Sequence, residues 1–311
     1  MTVIGIDLGG TKISGALFDN HGNTLYKTVC LLEGRQGKDV GALLCQTVGE
    51  LIEKAENKDV TAVGVCVPGI ADSKTGLVWA PNIEGWDHYP LCKEIQDYLQ
   101  NADIMVIIES DRTCYILGET WKGAAHNSEN AVFIAVGTGI GMGILIDGRI
   151  LHGNADITGA AGWMALNMQY EDDYPHFGCF ESNASGNGIA RCAQKLIAEG
   201  KYPESLLYKE DTVTAREIFE AYDKGDALAK AVIDKAIQLW GMAAANVISL
   251  LNPEKIVWGG GIFGPAVKFL PQIRQEAIRW AQPIAAQQVE FVASELGGDA
   301  GLFGAGKLGL I

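Results

Sequence analysis

The chain has 311 residues, 48% of them apolar and 20% charged, enough for one large or two medium domains with a sizeable core. A formal charge of −14 argues against a main task of binding nucleic acid or an anionic membrane surface. Seven scattered cysteines with no Cys-x-x-Cys pair read as reduced core residues of a cytoplasmic protein, and neither a basic leader nor a run of about 18 apolar residues points to secretion or a membrane span.

Ile4-Gly5-Ile6-Asp7-Leu8 reads as a buried strand that breaks at Gly9-Gly10 and continues into Thr11-Lys12. Glycines let the main chain approach a ligand closely, and a tight turn of N–H groups forms a nest suited to phosphate oxygens. An ordinary hairpin turn would look the same. Asp7, at the strand end, is placed to hold hydrated Mg²⁺, which prefers oxygen ligands.

Residues 3–30 are expected to form a three-stranded meander with a turn at 19–22. A helix is predicted over 39–54, then a buried strand over 62–67 ending at Pro68-Gly69, a loop over 80–86 and a short helix from Leu91. Another strand, 102–109, places Ser110-Asp111 at its carboxyl end, before a helix over 113–121. Strands alternating with helices imply an α/β lobe whose ligand groups sit at strand ends.

A second copy of the opening pattern follows. Val3 to Asp19 and Ala131 to Asp147 share one layout of strand, small-residue turn, strand and Asp-led turn, with Gly137-Thr138-Gly139 in the second turn. The offset is 128 residues both from Gly9 to Gly137 and from Asp19 to Asp147. Repeats mark repeated structural units, and two phosphate nests, one heading each half, suggest two lobes gripping one polyphosphate.

A large insertion is expected between 149 and 240, with a loop over 171–178 and several amphipathic helices. Helix 226–251 leads to strand 255–258 and the triple glycine Gly259-Gly260-Gly261, either a plain loop or flat backbone beside a planar ligand such as adenine. A last helix, 300–311, is expected to pack back on the first lobe and close a hinge. Gly301 to Lys307 resembles a P-loop, but Leu308 stands where Ser or Thr is needed. The glycines at 137, 139, 141 and 143 neither match G-x-G-x-x-G nor open a helix, so no Rossmann site is expected.

Asp7-Leu-Gly-Gly-Thr-Lys12, Val67-Pro-Gly69, Pro81-Asn82 with Gly85-Trp86, Ser110-Asp111, Gly137-Thr-Gly-Ile-Gly141, Gly178-Cys-Phe-Glu181 with Ser185-Gly186, and Gly259-Gly-Gly261 occur in one order along nearly the whole chain. In these motifs the chain resembles the ROK family of sugar kinases and sugar-responsive repressors. The resemblance implies a two-lobed α/β actin-like ATPase fold of the ribonuclease H-like type, with duplicated β-hairpin phosphate motifs and a hinge cleft. Residues 1–112 would form a small lobe, joined by helix 298–311, and 113–297 a large one. Repressors of the family carry an N-terminal DNA-binding domain; this chain starts at the phosphate turn, which favours the kinase branch.

The resemblance implies ATP-dependent phosphorylation of a sugar hydroxyl, the 6-hydroxyl of a hexose or hexose derivative. Asp7, Gly9, Gly10, Thr11, Lys12, Thr138 and Gly139 would hold phosphates and Mg²⁺, with Gly260 and Gly261 beside the adenosine. Asp111 would be the general base, a role compatible with capping the helix that follows. Gly69, Asn82, Ser110, Trp163 and Glu181 would line the acceptor site, where Ser110 replaces the family's usual Asn. Family members are commonly dimers or tetramers, so a homodimer is expected.

Two departures stand out. The family's Gly-Glu-x-Gly-His reads Gly162-Trp163-Met164-Ala165-Leu166, and its cysteine-rich zinc loop reads Asp172 to Cys179 with one cysteine left. One cysteine cannot build a closed tetrahedral site, so no structural zinc is expected. Losing Glu and His strips polar partners from the sugar and implies an unusual acceptor: a glycoside, a modified sugar or another polyol. Trp163 either offers it an apolar plate or packs into space the zinc loop vacates. A non-catalytic sugar or nucleotide sensor on the same fold is the alternative function.

Overall fold

In the computed structural model, which describes residues 1–55, 59–209 and 212–311, the chain divides into two compact units. The first comprises Met1–Glu129, Gly143–Thr158 and Ser294–Ile311; the second comprises Asn130–Met142 and Gly159–Ala293. No described helix is long and apolar enough to cross a membrane.

The first unit opens with the expected meander, β1 (Thr2–Leu8), β2 (Lys12–Asp19) and β3 (Thr24–Leu31). Helix α1 (Gly37–Lys54), strand β4 (Val60–Val67), the small hairpin β5 (Ile70–Ala71) with β6 (Val78–Trp79), and helix α2 (Leu91–Leu99) follow. Strand β7 (Met105–Ser110) runs directly into α3 (Asp111–Lys122). The sheet order is β3-β2-β1-β4-β7, with β4 parallel to both β1 and β7.

Side chains alternate across a strand, and here the alternation sorts structure from chemistry. Ile4, Ile6 and Leu8, with Val63, Val65 and Val67, pack into a core with Val40, Leu44, Val48 and Leu51 of α1 and Leu91 and Ile95 of α2. The opposite face carries Val3, Gly5 and Asp7 on β1 beside Ala62, Gly64 and Cys66 on β4, in register. That face takes α3 and the last helix of the chain.

The second unit contains β8 (Ala131–Val136) and the start of β9 (Ile140–Ile146), which is followed by β10 (Arg149–Ile150). Helices α4 (Tyr174–Phe177), α5 (Cys179–Ala184), α6 (Gly186–Ala198), α7 (Ala215–Asp223) and α8 (Ala227–Leu251) precede β11 (Lys255–Gly259). Helices α9 (Leu270–Trp280) and α10 (Pro283–Gln288), strand β12 (Glu290–Ala293) and helix α11 (Ala300–Leu308) complete the chain. The sheet order is β10-β9-β8-β11-β12, with β8, β11 and β12 parallel. Helix α8 is apolar on most of its surface and correspondingly buried, capped by Asp226, which accepts from Ala229 N at 2.9 Å, and ended by left-handed Asn252.

Helix α11 explains the glycines that imitate a P-loop. A Cβ on Gly304 would lie 1.8 Å from the Cys114 carbonyl oxygen of α3, and one on Gly64 would lie 1.9 Å from the Ala305 oxygen. Gly5 would meet Gly306 N and Leu302 O at 2.7 Å, and Gly118 would meet Ala300 O at 2.3 Å. The small residues let α11 lie backbone to backbone in a slot between α3 and the sheet. Buried Glu119 secures the approach: its carboxylate accepts from Leu296 N at 3.1 Å, Ala124 N at 2.7 Å and the Ser294 hydroxyl at 2.5 Å.

Two local expectations need correction. The predicted loop over 171–178 contains the helical turn α4, begun at Tyr174 with Pro175 in its first turn. Asp111 is not the cap of α3 but its first residue; Ser110 holds the cap position, and its hydroxyl turns to Thr113 Oγ1 at 3.0 Å.

Candidate active site

In the first unit, the carboxyl ends of β1, β4 and β7 bring Asp7, Cys66 and Glu109 level with one another on the α3/α11 face. The Asp7 carboxyl rises from 3.8 to about 6, first because burial desolvates it; the Asp111 charge adds to this, while the Cys66 thiol and Lys12 oppose it. Gly301 leaves room for that carboxylate, since a Cβ there would lie 3.0 Å from its Cγ and both oxygens.

Asp111 opens α3. Its Oδ1 accepts from Arg112 N at 2.7 Å, and Tyr115 Oη lies 3.5 Å from Oδ2. Burial raises the Asp111 carboxyl above the usual range, opposed by the Arg112 N–H and guanidinium. A desolvated carboxylate near a second carboxylate is a stronger base than a free one, which suits proton abstraction. Tyr115 and Arg112 were missed from sequence because neither type nor spacing marks a residue that tunes a neighbour. Beside this group His152 Nε2 sits 2.6 Å from Glu109 Oε1, and that bond raises the imidazole.

The other first-unit residues have clear places. Gly9 N donates to Lys12 O at 2.9 Å, closing the β1–β2 turn. Neither Gly9 nor Gly10 has a positive φ, so the turn does not need glycine for its dihedrals. What glycine supplies is open space: a Cβ on Gly10 would meet nothing within 4 Å. Thr11 and Lys12 are exposed beside it. Gly69, at φ 141°, is dictated by packing, since a Cβ would lie 2.1 Å from Trp79 O. Asn82 is exposed on the loop after β6, and Ser110 is buried.

In the second unit the turn recurs: Gly137 N donates to Gly139 O at 2.9 Å, and a Cβ on Gly137 would again meet nothing within 4 Å. Thr138 sits between them. Glu181 braces this turn from behind. Its Oε2 accepts from Ile140 N at 2.7 Å and lies 2.6 Å from where a Cβ on Gly139 would stand. Burial raises the Glu181 carboxyl, opposed by Ile140 N–H and by the Arg191 charge. One carboxylate oxygen is thus committed to the backbone of the turn.

A cavity of about 540 Å³ opens beside the turn, lined by Gly137 and Thr138, by Gly261 and Ile262 after β11, by residues 213–216 leading into α7, and by one face of α6. A Cβ on Gly260, at φ 86°, would lie 2.5 Å from the Val136 carbonyl oxygen, while one on Gly261 would meet nothing within 4 Å. Aliphatic Ala190, Val213, Ala215 and Ile262 with polar Asn187, Gln194 and Thr214 suit a nucleoside. None of the α6 and α7 lining residues was legible in the sequence, because their convergence depends on how the insertion folds.

Trp163 ends a helical turn over Ala161–Trp163 and is 56% exposed, whereas Leu166 is 7% exposed. The indole therefore does not fill the interior; buried Tyr174 and Phe180 do. The Tyr174 hydroxyl receives Asn167 Nδ2 at 3.1 Å and Asn183 Nδ2 at 3.3 Å, and Lys235 Nζ donates to Asn183 Oδ1 at 2.8 Å. These bonds pin the segment read from sequence as the remnant, with one cysteine, of a zinc loop. Among the described residues no group of three His, Cys, Asp or Glu could hold a metal ion.

Duplicated hairpin turns, each opening an α/β unit and backed by acidic side chains, define a phosphate-handling protein of the actin-like ATPase fold. The model of the ROK family matches residues 3–310, and the chain belongs to that family. A glucokinase of Halalkalibacterium halodurans is 34% identical over 318 residues, covering 98% of this chain and 94% of the relative. The crystal structure of a ROK hexokinase from Thermus thermophilus superposes with a TM-score of 0.83 at 27% identity, covering 99% and 97% of the two chains. A ROK glucokinase from Streptomyces griseus, solved with glucose and AMPPNP, gives a TM-score of 0.74 at 28% identity, covering 99% of each.

Proposed function

We propose that the protein is an ATP-dependent sugar kinase in which Asp111 takes the proton from the acceptor hydroxyl, the 6-hydroxyl of a hexose or hexose derivative. The observation that carries the reading is Asp111 itself: a desolvated carboxyl at the carboxyl end of β7, fixed by the Arg112 N–H, with a raised pKa. A sensor that only binds has no use for a base so prepared.

The first-unit turn, Gly9 to Lys12, and the second-unit turn, Gly137 to Gly139, each offer uncluttered backbone to phosphate oxygens. Nucleoside binding falls to the cavity between Gly261 and α6. Asp7 fits Mg²⁺: a hard oxygen donor whose carboxyl is raised mainly by burial, with the Asp111 charge adding to it, and a dication would favour its charged form. When bound, the ion would neutralise charge on the transferring phosphoryl group, with Asp7 as the protein carboxylate that would hold it. Asp111 accepts the proton as the hydroxyl oxygen attacks, and positioning supplies most of the rate.

On the acceptor side, exposed Trp163 and buried Leu166 replace groups that would hydrogen-bond a free sugar. The acceptor class this favours presents a C–H face or an aglycone; from the first unit, Gly69, Asn82 and Ser110 are the acceptor residues in this reading. The test is ATP consumption over a library of sugars, glycosides and polyols, wild type against Asp111→Asn. Turnover by wild type, falling about 10²–10⁴-fold in the variant, is expected. No turnover on any acceptor would leave a sensor, and equal rates would remove Asp111 from the chemistry.

A further inference from the structure

The cavity beside Gly137-Thr138 is lined by two arginines and no carboxylate, in a chain whose net charge is −14. Arg216 is engaged, its Nε donating to Glu220 Oε1 at 3.0 Å. Arg191 is not. Its Cζ lies 4.6 Å from the centroid of the Phe177 ring, and its Nη2 is buried without a hydrogen-bond partner among the described residues.

Helix α6 explains why that matters. Asn187, Ala190, Arg191 and Gln194 recur at helical spacing, so one face of α6 lines the cavity. Its N-terminus meets the phosphate turn directly, Gly186 N donating to Gly137 O at 2.8 Å. The first turn of a helix favours anions, and a guanidinium one turn further along the same face extends that preference. A ring face attracts a cation but satisfies none of its N–H groups, and leaving a buried charged donor unpaired is costly. Phosphate oxygens supply both the charge and the acceptors.

We infer that Arg191 binds the phosphates of the nucleotide donor, and that Phe177 holds its guanidinium in place until the donor arrives. This rests on the reading of the cavity as the donor site. It gives the segment around α4, which lacks the family's zinc cysteines, a part in donor binding: the ring that steadies the cation comes from that segment.

The experiment measures affinity for AMPPNP and for adenosine by calorimetry, and KM for ATP and for the acceptor, in wild type, Arg191→Met, Arg191→Lys and Phe177→Leu. Thermal melts confirm that each variant folds. Arg191→Met should weaken AMPPNP about 10–100-fold, the range lost with charge-assisted hydrogen bonds, and raise the KM for ATP in proportion. Adenosine affinity and the KM for the acceptor should not move. Arg191→Lys should recover part of the loss, and Phe177→Leu should show a smaller loss confined to AMPPNP. Unchanged AMPPNP affinity in Arg191→Met, or equal losses for AMPPNP and adenosine, would overturn the inference while leaving the donor site intact. Failure of wild type to bind either nucleotide would overturn the donor site, and this inference with it.

Discussion

Replacing Asp7 by asparagine keeps the shape of the side chain and removes its charge. Burial and the nearby Asp111 charge lift the Asp7 carboxyl from 3.8 to about 6 in the folded protein. At about 1.4 kcal/mol per pH unit, ionised Asp7 therefore costs the fold roughly 3 kcal/mol. The sign follows from linkage: below pH 4 the carboxyl is protonated folded or unfolded, and no cost exists. The cost grows as pH rises from 3.8 to 6 and is constant above that. Asp7→Asn should accordingly melt several degrees higher than wild type at pH 8, with the difference shrinking toward zero as pH falls to 4. The same variant should lose nucleotide-dependent turnover, a trade of function for stability at a charged site. Paired thermal melts across pH 4–8 are the assay. A difference in Tm that is the same at every pH, or a variant less stable than wild type at pH 8, would refute the argument from desolvation.

Other consequences are equally direct. Arg112 holds the Asp111 carboxyl down against burial, so Arg112→Met should move the acid limb of the rate profile to higher pH, since the base then protonates sooner as pH falls; kcat/KM against pH checks it. Gly304→Ala puts a methyl 1.8 Å from the Cys114 carbonyl oxygen, and forcing α3 and α11 apart should cost at least about 1–3 kcal/mol in urea denaturation. Trp163→Ala should raise the KM of a good acceptor about 3–10-fold, the worth of an aromatic contact, with the KM for ATP unchanged in steady-state kinetics.

Much of this was legible in the sequence because it depends on local pattern. The β1–β2–β3 meander, α1, α8 and the strand leading to Gly259 follow from alternation and helical spacing, and the 128-residue offset gave both turns. The role of the glycines was less legible. Gly9 and Gly10 were read as letting the main chain approach a ligand; neither has a positive φ, and a Cβ on Gly10 would meet open space. Glu181 was expected at the sugar from its motif; that its carboxylate also takes the Ile140 N–H, a contact made across 41 positions, was not legible. The cavity wall from α6 and α7 was invisible for a similar reason: its residues carry no pattern apart from helical spacing, and their meeting is a product of tertiary packing.

The glycine-lined slot also bears on how the first unit is made. Gly5, near the beginning of the chain, meets Gly306, near its end, and Gly64 meets Ala305. On the ribosome β1 and β4 emerge long before α11, so the face carrying Asp7 has at most α3 upon it while about 230 residues are added at roughly 5–20 per second. For many seconds the slot that α11 fills stays open, and the backbone at Gly5 and Gly64 waits for its partner.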